Sequence, residues 1–163
     1  MANAQLASRQ IYTLLRDNSN NTQIGGASTT ATSTFAFNPG RTCMIERVNV
    51  PVVDGSMTPD KFAGLSALTN GLLIRVCDAA GVEQIDYTDG EGIKTNSDWG
   101  ILAGSDNTIV VAAGTGGMVV RWTIAKSGSP LLLPANHEFQ VIRRDNLVGI
   151  TSMKAMVQGR FLD

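Results

Sequence analysis

His137 is the only histidine in the 163-residue chain, so a multi-histidine metal site cannot be assembled within one copy. Beside Glu138 at the start of a strand it could act as a general base. No nucleophile motif accompanies it: no serine lies in a GxSxG turn, and neither Cys43 nor Cys77 has a sequence context that marks a reactive thiol. The expectation is therefore a surface or hydrogen-bonded histidine and two buried, reduced thiols on strands, because neither cysteine sits in a CxxC or other ligand-like spacing. The run Gly114-Thr-Gly-Gly-Met118 resembles a phosphate loop only in its glycines. It lacks the Lys-Ser or Lys-Thr of such loops, and the residues after it read as a strand, so no helix N-terminus would face a phosphate. A hairpin loop accounts for it.

Three further groups carry polar or aromatic chemistry. Between residues 78 and 106 the acids Asp78, Glu83, Asp86, Asp89, Glu91, Asp98 and Asp106 stand against Lys94 alone. Asp86, Asp89 and Glu91 around Gly90 offer oxygens to a Ca2+ ion, but without the alternating ligand order of an EF-hand loop. A solvated acidic loop, or an acidic patch meeting a basic patch on a neighbouring copy, are the other readings. Trp99, within Thr95-Asn-Ser-Asp-Trp-Gly100, could stack on a sugar ring, anchor an interface or plug its own domain. Arg143-Arg144 is the only arginine doublet, and without interleaved aromatics it reads as a solvated or salt-bridged pair before a nucleic-acid contact.

The elements that must position these residues are mostly strands. Met118, Val120, Trp122 and Ile124 alternate with Val119, Arg121 and Thr123, and Met153, Ala155, Val157 and Phe161 alternate with Lys154, Gln158 and Arg160. Period two with one apolar face marks half-buried strands. Leu72, Ile74 and Val76 repeat the pattern, as do Val48, Val50 and Val52, while Phe139 with Val141 and residues 82–87 add shorter strands. Residues 108–112 pair with 118–125 through the glycine loop. Pro51 cannot donate to a ladder, which predicts that its strand runs at an edge or bends there. Glu46 shares the parity of Val48 and Val50, which suits either a bulge that resets the face or a sheet whose outer face another subunit covers. Leu73 and Val119 fall on the outward parity beside Arg75 and Arg121, so part of the outer sheet surface is predicted to be apolar.

Turn chemistry punctuates these runs at Asn38-Pro39-Gly40, Asp54-Gly55, Ala80-Gly81, Asp89-Gly90 and Ser127-Gly-Ser-Pro130. One helix is predicted from Thr58, with Pro59 at its first position, Asp60 at the positive dipole end, Phe62, Leu65 and Leu68 facing inward and Asn70-Gly71 as its stop. Residues 17–34, almost wholly Asn, Ser, Thr, Gly and Ala, show no period and read as a linker or extended arm. In front of them Ile11 to Leu15 lean toward a strand, with a short helical stripe as the alternative. The predicted organisation is an N-terminal arm over 1–34 and a β-sandwich over 35–163. The fold class is all-β, a jelly-roll-like sandwich with one short helix.

Composition narrows the function classes. Net charge is -1, which argues against a basic nucleic-acid module, and charged residues make up 17% where an ordinary soluble domain has about 25%. That deficit hints at burial by partners. The opening residues lack an apolar stretch of signal-peptide length, and the longest apolar run, Ile109 to Ala113, is far below the roughly 20 residues that span a bilayer, so a soluble product made in the cytoplasm is expected. The sequon Asn20-Asn-Thr22 means little without secretion.

A resemblance adds to this reading. Its residues are the Thr-rich arm leading into Phe35-Ala-Phe-Asn-Pro-Gly40, then Ile45-Glu-Arg-Val-Asn-Val50, Leu68-Thr-Asn-Gly71, Ile93-Lys-Thr-Asn-Ser-Asp-Trp99, Arg121-Trp-Thr123, Arg144-Asp-Asn-Leu147 and Gln158-Gly-Arg160. In style and order these resemble the small β-rich virion proteins of tailed bacteriophages that decorate or cement capsids or occupy tail and adaptor positions. The resemblance implies a jelly-roll-like sandwich, a virion location and homo-oligomers, trimers first. It also implies contact with the major capsid protein or another virion protein, and no catalytic residue, cofactor, metal, nucleic acid or membrane. A carbohydrate-binding or host-attachment sandwich using Trp99 and the acidic segment is the rival, and an enzyme built on His137 stands third.

Overall fold

The computed structural model describes residues 13–17, 25–26, 33–53, 58–101, 106–112, 115–124 and 130–162. Its organising strand is β4 (Cys43–Val53), whose 11 residues alternate inward Ile45, Val48, Val50 and Val52 with half-exposed neighbours. Glu46 and Arg47 both point away from the core. The register to the neighbouring strand steps from Arg47 opposite Gln158 to Ile45 opposite Gly159, so Glu46 is the extra residue of a bulge that returns Val48 to the core face, the first of the two alternatives for it.

Along the chain β4 is preceded by β1 (Thr13–Asp17), β2 (Gly25–Gly26) and β3 (Ser33–Phe37). It is followed by β5 (Leu72–Cys77), β6 (Glu83–Asp86), a one-turn helix α1 (Asp98–Ile101), β7 (Asp106–Ala112) and β8 (Thr115–Thr123). Then come β9 (Leu131–Leu133), β10 (Glu138–Arg143), β11 (Ser152–Met153) and β12 (Met156–Phe161). On one side of β4 lie β8 and β9, with β7 beyond β8; on the other lie β12 and β11, with β1 and β2 outside them. The second sheet runs β3-β10-β5-β6, and every pairing in both sheets is antiparallel.

The two sheets share one core. Trp122 of β8 packs on Phe139 of β10 with ring centroids 6.2 Å apart and takes the edge of Tyr87 at 4.6 Å. Phe35, Ile45, Val50, Ile74, Val120, Leu133, Val141 and Val157 fill the space between, drawn from both sheets. The molecule is an all-β sandwich with one short helix.

Two expectations change. Residues 58–70 are not a helix. Ala63 has φ +51, which no helix accommodates. The polar groups that i to i+4 bonds would use are taken from outside: Asn96 accepts from Ala63 N and donates to Thr58 O, each at 2.9 Å, and Ser97 N bonds Pro59 O. The short helix among the described residues is α1 instead. Pro51 is not at an edge, for β4 has neighbours on both sides. Pro51 O accepts from Lys154 N at 3.1 Å, so its missing donor faces the same way, where β11 gives way to β12. The partner strand breaks opposite the proline. Within residues 1–34 lie β1, where the leaning toward strand agrees with Thr13 to Leu15, β2 and the start of β3, each paired with a strand of the sandwich.

The predicted turns at Gly40, Gly81 and Gly90 carry positive φ. In the β7–β8 hairpin Ala112 faces Thr115, so Gly116 and Gly117 are strand residues and the connection is shorter than expected. Asp54-Gly55, Gly114, Ser127 to Ser129 and the sequon Asn20 to Thr22 lie outside the described residues. Among the described residues no helix is long and apolar enough to cross a membrane.

Candidate functional site

Several of the residues marked for chemistry meet at one loop junction, built where residues 58–71, 86–99 and 144–147 come together. Its floor is an isolated bridge in which Leu72 and Ile93 exchange N–H···O bonds of 3.0 and 2.8 Å. Gly71 (φ +73) and Gly92 (φ +80) flank the bridge so closely that a Cβ on Gly71 would lie 2.8 Å from Ile93 O, and one on Gly92 2.7 Å from Asn70 O. Both positions demand glycine for conformation and for space.

Arg144 and Asp145 clamp this bridge from either polarity. The Arg144 guanidinium donates to the carbonyls of Gly71 and Glu91, each at 3.3 Å, and to Asn70 O. The Asp145 carboxylate accepts from Asn70 N, Asn70 Nδ2 and Gly71 N, the last at 2.6 Å. Charge-assisted bonds of this kind are roughly twice as strong as neutral ones. Neither residue was singled out for this role by the sequence, since the contacts join positions about 50 to 75 apart. Beside the clamp an open depression of about 350 Å³ is lined by Leu65, Ser66, Leu68, Thr69, Asp145 and Asn146.

The acidic segment is loop architecture. Asp86 accepts from Thr88 N, Thr88 Oγ1 and Gly90 N, all at 2.7 Å. Burial pushes its carboxyl upward, but the bonds from Thr88 and Gly90, helped by the Arg144 charge, outweigh that and hold it below the usual range. Asp78 accepts from Ala80 N and Val82 N, Asp98 from Lys94 N and Thr95 N. Glu91 pairs with Lys94 at 3.4 Å and Glu83 with Arg75 at 3.6 Å. Asp86, Asp89 and Glu91 do not converge, and no three His, Cys, Asp or Glu among the described residues form a metal-binding group.

Trp99 is fully buried on α1. Of the three readings left open for it, the structure selects the plug of its own domain, and stacking on a sugar is not accessible to its ring. Its Nε1 is buried without a hydrogen-bond partner, so the indole is held by packing. Arg143 is buried on the inward parity of β10, where desolvation disfavours its charged form and lowers its pKa, and Arg144 is the clamp. The doublet is therefore split, Arg143 facing the core and Arg144 binding loop carbonyls, and the two do not form a shared basic surface. His137 bonds Asn136 Oδ1 through Nδ1 at 3.0 Å. Cys43 and Cys77 are free and buried on β4 and β5, as predicted; burial pushes the Cys43 thiol up to about 11, and chiefly burial raises Cys77 as well.

The outer sheet faces are a different surface. Leu73 and Ile142 stand opposite each other on neighbouring strands, outward and half-buried, with Thr34 continuing the row. On the wide sheet Val119 faces Pro51, and Leu132, 53% exposed, sits beside Met44 and, across it, Arg160. Arg160 is held by Glu46 at 3.8 Å, and Arg41 stacks over Phe161 at 3.9 Å. Beside Leu73 the chain Arg75, Gln140 and Glu138 is hydrogen-bonded at 3.0 and 2.8 Å. Each face thus sets apolar side chains beside charged ones that have partners within the chain.

No family model, curated protein or solved structure matches the chain.

Proposed function

We propose that this chain is a non-enzymatic virion structural protein of the tailed-phage type, most specifically a capsid decoration or cement protein that acts through oligomeric and shell contacts. The observation that carries the reading is the apolar side chains on the outward parity of both sheets: Leu73 with Ile142, Val119 with Pro51, and Leu132. Apolar surface of this kind is stabilised by being covered, and joints between capsid subunits cover it.

Two further facts support it. The loop junction, where a ligand site would be sought, has the Asp86, Asp98 and Asp145 carboxylates and the Arg144 guanidinium bonded to the chain's own backbone. And the strand order is that expected of a jelly roll, the sandwich type common to capsid and lectin domains. With β1/β2, β8/β9 and β11/β12 each counted as one strand, the first, last, third and sixth strands form one sheet, with β7 appended. The second, seventh, fourth and fifth form the other.

Immunogold electron microscopy of purified phage particles encoding the chain, with antibody raised against it, tests the reading. Label over heads is the expected result. Label confined to tails moves the protein to an adaptor or attachment role, and unlabelled particles overturn the virion assignment.

A further inference from the structure

We infer that the free edge of β3 is the seam of a twofold contact between two copies of this chain. The inference rests on the assembly reading above and gives it a specific surface. Among the described residues β1, β2, β3, β6, β7 and β9 each hydrogen-bond to one neighbouring strand only. Free edges template further pairing, and proteins blunt them with charge, bulges or shortness. Strand β1 carries Arg16 and Asp17, β6 carries Glu83, Asp86 and a register break against β5, and β7 carries Asp106, while β2 and β9 have two and three residues. Strand β3, Ser33-Thr-Phe-Ala-Phe37, has none of these devices: five uncharged residues, no proline, and an unbroken register to β10.

Its pattern is also self-complementary. In a full-overlap antiparallel pairing, Phe35 lies opposite the partner's Phe35 and Thr34 opposite the partner's Ala36. Residues directly opposite in an antiparallel pair share a face. Phe35 and Phe37, 5% and 4% exposed, would then stay on the core side in both copies, and the exposed Thr34 and Ala36 would stay outside. No like charges meet and no large side chain is turned outward, so the strand pattern suits an isologous pairing. The seam is continuous with the proposed docking face, because the row Thr34, Ile142, Leu73 runs inward from it. A second copy joins two such rows into one surface.

Sedimentation velocity of the full chain over rising concentration tests this, using Thr34→Lys/Ala36→Lys and Thr34→Glu/Ala36→Glu double variants. Both positions are exposed, and thermal melts identify a variant that fails to fold. The wild type should dimerise, and each variant alone should lose dimer at least about tenfold, since like charges face one another across the seam. An equal mixture of the Lys and Glu variants should re-associate through opposite charges, a rescue that damage to the fold would not give. A wild type that stays monomeric, variants that associate like wild type, or a mixture that stays monomeric each overturn the inference. Particle labelling is independent of this result, so failure of the seam and failure of the virion reading are told apart.

Discussion

The loop junction and the outer sheet faces divide the molecule's chemistry in opposite ways. The junction holds groups that look functional in the sequence, among them Asp86, Trp99 and Arg144, and it uses them to hold the chain's own loops, Trp99 by burial and Asp86 and Arg144 by bonds to backbone. The outer faces hold unremarkable residues, Leu73, Ile142, Val119 and Leu132, and leave them facing out. Polar density therefore marks structural effort here, and apolar outward parity marks the surface with contacts still to make. In a sandwich whose loops replace a helix with long-range bonds, carboxylates and amides are needed simply to satisfy buried backbone.

The comparison predicts where mutations will hurt stability and where they will hurt association. Trp99→Ala should cost about 3–5 kcal/mol in chemical denaturation, the range for emptying a buried aromatic site. A cost below about 1 kcal/mol would mean that the indole is not the plug of the junction. Gly71→Ala should cost about 2–3 kcal/mol, because the new Cβ meets Ile93 O at 2.8 Å with φ held at +73. A neutral substitution would show that the bridge is not rigid.

Leu132→Glu should do the reverse. At 53% exposure it should change the melting of the free chain little, within roughly 0.5 kcal/mol. It should weaken binding to particles by about tenfold, a shift of about 1.4 kcal/mol; unchanged binding would remove the wide sheet from the docking surface. The smallest effect concerns pH. The Asp86 carboxyl is held below its unfolded value, so the stability it contributes is full above the ordinary carboxylate range near pH 4 and is lost as pH falls through its lower folded value. Thermal melts of wild type should therefore fall more steeply with acid than those of Asp86→Ala, and parallel curves would show that the loop bonds add nothing.

Much of the sheet architecture was legible because strand parity is a local signal. The alternation in β4, β5, β8, β10 and β12, the parity break at Glu46 and the outward placement of Leu73 and Val119 all came from period two. The junction was not legible, since what decides it is distant in sequence. Thr58-Pro59-Asp60 is a sound helix start, yet Asn96 captures the backbone that would propagate it. Pro51 misled for the same reason, as the matching break in its partner lies a hundred residues later, at Lys154. Trp99 sits in a polar stretch whose composition hides its burial, and the pairing of Arg144 and Asp145 with Asn70-Gly71 leaves no local trace.

Hydroxyl-radical footprinting of the chain, free and bound on purified phage particles, tests most directly whether the outer faces are where it meets other polypeptides. The account predicts that oxidation of Leu73, Ile142, Val119 and Leu132 falls on the particle while Leu65 and the junction loops keep their free-state pattern. Protection concentrated at the junction, with the sheet faces unchanged, would contradict it.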